Sequence, residues 1–154
     1  MNTTELILVN KAKACTIYTI QFLSENNSEF ERFYHKFVND AEYNSDLMRI
    51  VALIDKISEK GALERFFRPE GKINDGVCAL PISDSRLRLY CLRLSDSILI
   101  LGNGGIKKTR TYNEDDVLKG YVLSLQKFER LITEGKKNGS IVITTNTIEM
   151  DKSF

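Results

Sequence analysis

The stretch that decides the fold runs from Gly76 to Arg110 and reads GVCALPISDSRLRLYCLRLSDSILILGNGGIKKTR. It contains three apolar runs of the kind that form strands, which are Val77 to Ile82, Arg86 to Leu94 and Ser97 to Leu101. The connections between these runs are only a few residues long, and connections this short join antiparallel neighbours. We therefore predict an antiparallel three-stranded meander as the centre of the fold.

The third run ends in a glycine cluster, Gly102-Asn103-Gly104-Gly105. Clustered glycines at a strand end predict a bend, a bulge or a position where another backbone approaches closely. The cluster does not match a phosphate-binding loop. The Walker pattern needs a glycine directly before the lysine, where this chain has Ile106, and the dinucleotide pattern needs a third glycine where it has Lys107.

The residues before the meander predict a strand and two helices. Thr16 to Leu23 alternates apolar and polar residues, which is typical of a strand with one buried side. Ser28 and Glu31 form a capping box that opens a helix rich in aromatic residues. Ser45-Asp46 starts a second helix, which Gly61 ends. The short polar connection predicts an antiparallel helix pair packed on the sheet.

The residues after the meander predict a third helix and one more strand. Asn113 with Asp116 caps the helix, which stops at Gly135. Ser140 to Ile148 is rich in β-formers and predicts a final edge strand, beside another short strand at Leu6 to Val9. The element order predicts one α+β domain over residues 1–154, with helices on one face of an antiparallel sheet and the other face open. Its core spans about 16–132, and 136–154 form a tail or added edge strand.

Composition limits the classes of function. A chain of 154 residues has no apolar run near the ~18 residues of a membrane span, and its first residues do not resemble a signal peptide. The cysteines, Cys15, Cys78 and Cys91, are odd in number and lack metal-ligand spacing, so we predict buried thiols in a reducing, cytoplasmic compartment. His35 is the only histidine, which excludes a metal site built on imidazoles. We predict no metal and no cofactor.

Positive charge is concentrated between Arg86 and Tyr112, although the net charge of the chain is only +1. Six basic residues lie there against one acid, Asp96; they are Arg86, Arg88, Arg93, Lys107, Lys108 and Arg110. Arg86 and Arg88 share one face of their strand, and Lys108 and Arg110 share a face if extended. These side chains could line a groove for a nucleic-acid backbone. They could equally solubilise an exposed sheet edge, and the pattern alone favours neither interpretation.

The meander resembles a known family. The run Arg86-Leu-Arg-Leu-Tyr90, followed by Ile98-Leu-Ile-Leu101 and the close Ile106-Lys107-Lys108-Thr109 before an acid-capped helix, is similar to RelE/HigB-type toxins of the RelE/ParE superfamily. The similarity covers roughly Thr16 to Ile132. It implies a curved antiparallel sheet under an N-terminal helix pair, with a C-terminal helix. The possible extra terminal strand after Gly135 is unusual for the family.

The resemblance also implies a function and its residues. Members are toxin components of type II toxin–antitoxin systems and most commonly cleave messenger RNA on the ribosome without a metal, while a helix-turn-helix antitoxin is the expected partner. Carried over to this chain, phosphate binding falls to Arg86, Arg88, Lys107, Lys108 and Arg110. The catalytic residues implied are Arg88, Lys108 and Tyr112, with Tyr112 as the proton-transfer group.

One departure from the family leaves other functions open. Many HigB-like members carry a Glu-Leu-Arg triplet in the strand where this chain has Leu80-Pro81-Ile82. Pro81 supplies neither a charge nor an amide, so it also marks a sheet edge or bulge. A RelE-fold binding protein without nuclease activity, of the antitoxin-partner or topoisomerase-poison type, is therefore the alternative. A solitary relative whose sheet is closed off by the terminal strands is a third.

Overall fold

The computed structural model describes residues 4–69, 76–110 and 112–150 of the chain. The described residues form three helices and eight strands, with two single turns of 3₁₀ helix at Glu64–Phe66 and Tyr112–Glu114. The helices are α1 (Glu29–Phe37), α2 (Asn44–Lys60) and α3 (Asp116–Asn138). The strands are β1 (Thr4–Lys11), β2 (Thr16–Phe22), β3 (Arg68–Pro69), β4 (Val77–Pro81), β5 (Leu87–Ser95), β6 (Ile98–Ile106), β7 (Ile141–Ile143) and β8 (Ile148–Met150). The α+β class is confirmed.

The first six strands form one sheet in the order β1-β2-β6-β5-β4-β3. The predicted meander is confirmed, because β4 pairs antiparallel with β5 and β5 with β6. The prediction of an antiparallel sheet is wrong in one place. β2 pairs parallel with β6, from Thr16 opposite Ile98 to Thr19 opposite Leu101. The two helices and most of the meander lie between these strands in the chain, which is long enough for a crossover that brings parallel strands together.

The parallel pairing places β2 inside the sheet, between β1 and β6. All five residues from Thr16 to Ile20 are buried, so the expected strand with one buried side has both sides covered. Ile17 faces the core on one side of the sheet and Tyr18 faces the core on the other. The short strand expected at Leu6 to Val9 is confirmed as part of β1, which forms the sheet edge.

One face of the sheet carries the predicted helix pair. Helix α1 contributes buried Phe33 and Phe37. Helix α2 contributes side chains spaced at helical intervals, which are Leu47, Ile50, Ile54 and Ile57. They pack on inward-facing strand residues such as Leu89 and Leu99. Burial of this many large apolar side chains, at about 1.5–3 kcal/mol each, is the main force holding the helix pair on the sheet.

The opposite face is covered, although we expected it to be open. Helix α3 packs there through buried side chains, Leu118, Val122, Leu125, Phe128 and Ile132. Their partners on the sheet include Tyr90, Leu92 and Ile100. Alternate residues of β5 and β6 are apolar on both sides, so the sheet has two apolar faces to cover and each carries a helical layer.

The terminal segment does not add an edge strand beside β1. Strands β7 and β8 pair with each other as a separate hairpin, within the expected strand Ser140 to Ile148 and just beyond it. Ile141 and Ile148 of this hairpin are buried in the core beneath α3. The backbone N–H of Ile148 donates to the hydroxyl of Tyr18 at 3.1 Å. Residues 141–150, which we had assigned to a tail or an added edge strand, therefore complete the α3 core, and residues 151–154 of that segment lie outside the described residues.

Helix ends follow local chemistry, with three corrections. The Ser28–Glu31 capping box is confirmed, and Gly61 ends α2. Helix α2 begins at Asn44, one residue before the expected start. Helix α3 is capped by Asp115, whose carboxylate accepts from two backbone amides, and not by Asn113.

Helix α3 also continues past Gly135 to a left-handed C-cap at Gly139. A Cβ at Gly135 would overlap the side chain of Ile141, so this glycine allows β7 to pack closely on the helix. Gly135 therefore serves packing. The helix stop that we had predicted at Gly135 lies at Gly139.

Candidate functional sites

Three arginines line one open cavity of about 570 Å³ where β4 turns into β5. We call this the basic corner. Its lining residues are Arg68, Ile82, Ser83, Asp84, Ser85, Arg86 and Arg88. Guanidinium groups are suited to phosphate because each presents several N–H donors in a planar fork. Arg88 on β5 and Arg86 directly before it, both from the predicted site, thus lie together at a concave surface.

Arg88 is held in place by the turn that precedes it. Its Nη1 donates to the carbonyl oxygens of Ser85 at 2.7 Å and Leu87 at 3.0 Å. The Ser85 hydroxyl in turn donates to the Asp46 carboxylate at 2.7 Å and accepts from the Leu87 amide at 3.0 Å. Asp46 lies in the first turn of α2. The helix pair therefore orients the turn, and the turn orients the Arg88 guanidinium.

The second basic segment begins beside the basic corner. The amide of Lys107 donates to the carbonyl of Arg86 at 2.8 Å, which extends the β5–β6 ladder by one residue. Lys107 is half-buried, whereas Lys108 and Arg110 are exposed. The fold thus brings the Arg86–Arg88 strand and the start of the Lys107–Arg110 segment together. Arg93 lies elsewhere, since it donates to the Ala62 carbonyl at 2.6 Å and pairs with Asp96.

Tyr112 has a different environment from the basic residues. It begins the 3₁₀ turn Tyr112–Glu114 and packs, half-buried, against the apolar core beneath α3. Its predicted role in proton transfer is not tested by this position, but the packing gives the ring a structural role of its own.

Sequence reasoning missed Arg68 at the basic corner. Arg68 belongs to β3, a two-residue strand that pairs with β4 and places Arg68 opposite Ala79. Its charge and the neighbouring aromatic pair Phe66-Phe67 were the available signals, but neither predicts pairing with β4.

The glycine cluster performs the role of close backbone approach. Strand β6 continues through the glycines to Ile106, with a register shift between Leu89 and Cys91 of the facing strand. A Cβ at Gly104 would overlap the carbonyl oxygen of Arg88. The predicted bulge is therefore confirmed, and only glycine fits where β6 crosses Arg88.

A second polar cavity, of about 310 Å³, was not predicted. It lies where α1, β6 and α3 meet, and we call it the seam pocket. Its lining residues are Asn27, Arg32, His35, Lys36, Asn103 and Tyr121. These side chains come from distant parts of the sequence, so no local motif predicts that they lie together.

Lys36 is the centre of the seam pocket. Its ammonium donates to the Gly104 carbonyl at 2.6 Å and to the Tyr121 hydroxyl at 3.0 Å, and it lies 4.8 Å from the centre of the Tyr121 ring. The residue as a whole is exposed, and the bond of its ammonium to the Gly104 carbonyl is partly buried. Burial lowers the pKa of Lys36 to about 8, the nearby Arg32 charge acts in the same direction, and Glu29 opposes both. The ammonium is charged at neutral pH.

Two further residues set the polarity of the seam pocket. Arg32 forms an ion pair with the buried Glu29 at 2.8 Å, and Glu25 lies 4.0 Å away. The hydrogen bond to Glu29 raises the pKa of Arg32. Burial raises the pKa of Tyr121, so its hydroxyl remains protonated beside the ammonium. Arg32 is thus largely neutralised, and Lys36 has no carboxylate partner among the ion pairs of the described chain.

The thiols lie apart from both sites. Cys15, Cys78 and Cys91 are buried thiols that form no disulfide, as predicted. Across residues 4–69, 76–110 and 112–150 there is no group of three or more histidine, cysteine, aspartate or glutamate side chains placed to hold a metal ion. Within the same residues, no helix has the length and apolar character needed to cross a membrane.

Comparison with protein-family models, with curated proteins and with solved structures found no match for this chain. Membership of the RelE/HigB family stays a prediction from the sequence.

Proposed function

We propose that this protein is a RelE/HigB-like toxin that holds the RNA phosphate backbone at the basic corner and cleaves messenger RNA on the ribosome without a metal. Its partners are then the ribosome with its mRNA and an antitoxin of the helix-turn-helix type, all in the cytoplasm. The observation that carries the proposal is the cavity at the β4–β5 turn, which three arginines line together. The backbone of Lys107, directly after β6, pairs with that of Arg86, so the second basic segment begins beside this cavity.

The geometry supports phosphate binding in two ways. Arg88 is oriented by the Ser85 and Leu87 carbonyls, so it loses little freedom when a phosphate arrives. Arg86, Lys108 and Arg110 are exposed and can neutralise the flanking phosphates of an extended strand. An oriented arginine beside exposed basic residues suits an RNA backbone: Arg88 binds one phosphate, and the exposed residues neutralise the phosphates on either side.

Metal-independent cleavage would proceed by attack of a ribose 2′-hydroxyl on the adjacent phosphorus, with release of the 5′-oxygen of the next nucleotide. The proposed role of Arg88 and Lys108 is to stabilise the negative charge that develops on the phosphoryl oxygens. Tyr112 is the proposed proton-transfer group.

The test is induced expression in a bacterial host that lacks the antitoxin, with growth followed and mRNA 5′ ends mapped. We expect growth arrest and new mRNA ends, both lost in Arg88→Gln and kept in Arg130→Gln, which removes one exposed arginine of α3. Growth and mRNA that stay intact at full protein expression would overturn the proposed activity.

A binding protein without nuclease activity is the second candidate, and the packing of Tyr112 against the α3 core favours it. Such a protein would bind its antitoxin or poison a target through the helix layers. Charge reversal of Lys107 and Lys108 to glutamate separates the two functions. A nuclease would lose RNA cleavage, whereas a protein that binds through a helix face would keep its partner.

A further inference from the structure

The seam pocket exists because two neighbouring strands part. Strand β2 pairs with β6 only as far as Leu101, while β6 continues to Ile106. Helix α1 lies along this stretch of β6, and the Lys36 ammonium donates to the Gly104 carbonyl. The pocket is separate from the basic corner, since the lining residues of the two cavities do not overlap.

Asn103 places an unpaired donor in this pocket. Only 2% of the residue is exposed. Its side-chain oxygen accepts from the Gly104 amide at 2.7 Å, but its Nδ2 has no acceptor among the described residues. Buried polar groups are nearly always hydrogen-bonded, so an unpaired amide in the wall of a cavity is placed to donate to an oxygen of a ligand.

Lys36 places a second donor and a charge beside it. An ammonium has three N–H donors, and the Gly104 carbonyl and Tyr121 hydroxyl use two of them. Glu29 and Glu25 already form ion pairs with Arg32. The positive charge of Lys36 therefore has no carboxylate left to pair with in this pocket. His35 also lines the pocket and is exposed. The pocket is therefore rich in hydrogen-bond donors and carries a positive charge, which suits a negatively charged ligand with acceptor oxygens.

We propose that the seam pocket binds a phosphate group, with Lys36 and the Asn103 amide as its donors and Tyr121 positioning the ammonium. A phosphate offers several acceptor oxygens in a compact tetrahedron, which fits donors that converge from one helix and one strand. The bound anion supplies the charged partner that the ammonium lacks among the described ion pairs, and ligand binding and protonation of Lys36 therefore favour each other.

Sulfate is the first probe, because it is a tetrahedral dianion whose charge does not change between pH 7 and pH 9. Titration at constant ionic strength, followed by NMR of the ¹⁵N-labelled protein, should give saturable shifts of the Asn103 side-chain amide and the Gly104 amide. The dissociation constant should be about tenfold higher at pH 9 than at pH 7, since Lys36 loses its proton between them.

Matched lysine variants test the site without relying on one fold-sensitive residue. Lys36→Gln should weaken sulfate binding at least about tenfold, the loss expected for one charge-assisted bond. Lys56→Gln should leave it unchanged, because Lys56 is also a helical lysine over an aromatic ring but lies on α2. Tyr121→Phe, which removes only the hydroxyl, should weaken binding by a smaller factor.

Inorganic phosphate and a nucleoside 5′-monophosphate distinguish the source of the ligand. Both should displace sulfate from the pocket; equal potency identifies a free phosphate, and tighter binding of the nucleotide identifies a nucleotide phosphate. An Arg86→Gln/Arg88→Gln variant should bind sulfate at the seam as wild type does. Shifts that never saturate, equal weakening by Lys36→Gln and Lys56→Gln, or affinity that is the same at pH 7 and pH 9 would each overturn the proposal.

Discussion

The basic corner and the seam pocket differ in how they hold positive charge. At the basic corner several cationic side chains face an open cavity, and Arg88 is tied down by carbonyl groups of its own turn. In the seam pocket one ammonium lies under an aromatic ring, and its pKa is lowered to about 8 by burial. The first surface suits a long polyanion that brings many charges, whereas the second suits one small anion that replaces lost solvation.

Gly104 joins these two regions, so its substitution should have the largest effect. Gly104→Ala forces a Cβ against the Arg88 carbonyl and also moves the carbonyl that Lys36 binds. We expect about 3 kcal/mol of lost stability from this overpacking, measured by urea unfolding. Gly120→Ala is the control, because a Cβ there meets nothing within 4 Å on α3. It should stabilise the protein by about 1 kcal/mol. Equal stability of the two variants would contradict the close approach.

Ser85→Ala should loosen the basic corner without removing a charge. It deletes the hydroxyl that bonds Asp46 and caps the Leu87 amide, so the turn that orients Arg88 loses its tie to α2. We expect about 1 kcal/mol of lost stability and a several-fold loss of RNA affinity, measured by unfolding and by fluorescence anisotropy. Ser124→Ala, which removes only a hydroxyl bonded to the Gly120 carbonyl, should change neither. An unchanged affinity in Ser85→Ala would show that Arg88 needs no support from the turn.

The pH dependence of stability should single out the seam pocket. Because the pKa of Lys36 is lowered from 10.5 to about 8, the unfolded chain binds more protons than the folded one between these values. The contribution of Lys36 to the unfolding free energy therefore rises as pH increases from 8 to 10.5. The stability of wild type relative to Lys36→Met should rise over this interval in urea titrations at a series of pH values.

Two buried thiols lower the unfolding free energy as pH rises, but wild type and Lys36→Met both contain them. Burial raises the pKa of Cys15 to about 11 and the pKa of Cys91 well above its ordinary value. These groups lower stability at high pH in wild type and in Lys36→Met alike, so they cancel in the difference. Parallel stability curves for the two proteins would contradict the lowered pKa of Lys36.

The smallest effect is expected from thiol reagents on the folded protein. The three cysteines are buried, and Cys78 faces Cys91 across β4 and β5 without a disulfide. Reaction with a colourimetric disulfide reagent should be slow at pH 8 and become fast for all three thiols in 6 M guanidinium, because the thiolate must be exposed to react. Rapid native reaction of any thiol would show that the layer over it opens.

Local chemistry made much of the fold predictable. The Ser28–Glu31 capping box, the meander and the stop at Gly61 depend on neighbouring residues, and the sequence pattern identified all three. The parallel pairing of β2 with β6 depends on residues about 80 positions apart, which periodicity does not report. The same reason explains why α3 was not placed on the second face. Gly135 was misread because a packing glycine and a helix-stopping glycine have the same letter and differ only in what lies beside them.

The two sites differ in the same way. Arg86, Arg88 and Lys107 were found because charge clusters along the chain at the ends of paired strands. Arg68 was missed because it reaches the corner through the pairing of β3 with β4. Lys36 and Tyr121 are 85 positions apart and meet only once both helical layers are in place. Their altered pKa values follow from the fold, so no sequence motif could have identified the seam pocket.

The central claim, that the basic corner binds the RNA backbone, is tested most directly by the salt dependence of RNA affinity. Anisotropy titrations of a single-stranded RNA would compare wild type, Arg86→Gln/Arg88→Gln and a control, Lys127→Gln/Arg130→Gln, which removes two exposed charges from α3. We predict at least about tenfold weaker binding for the arginine pair, with the slope of log K against log salt reduced by about 1.4, and little change for the control. Equal losses in the two double variants, or no RNA binding by wild type, would contradict the claim.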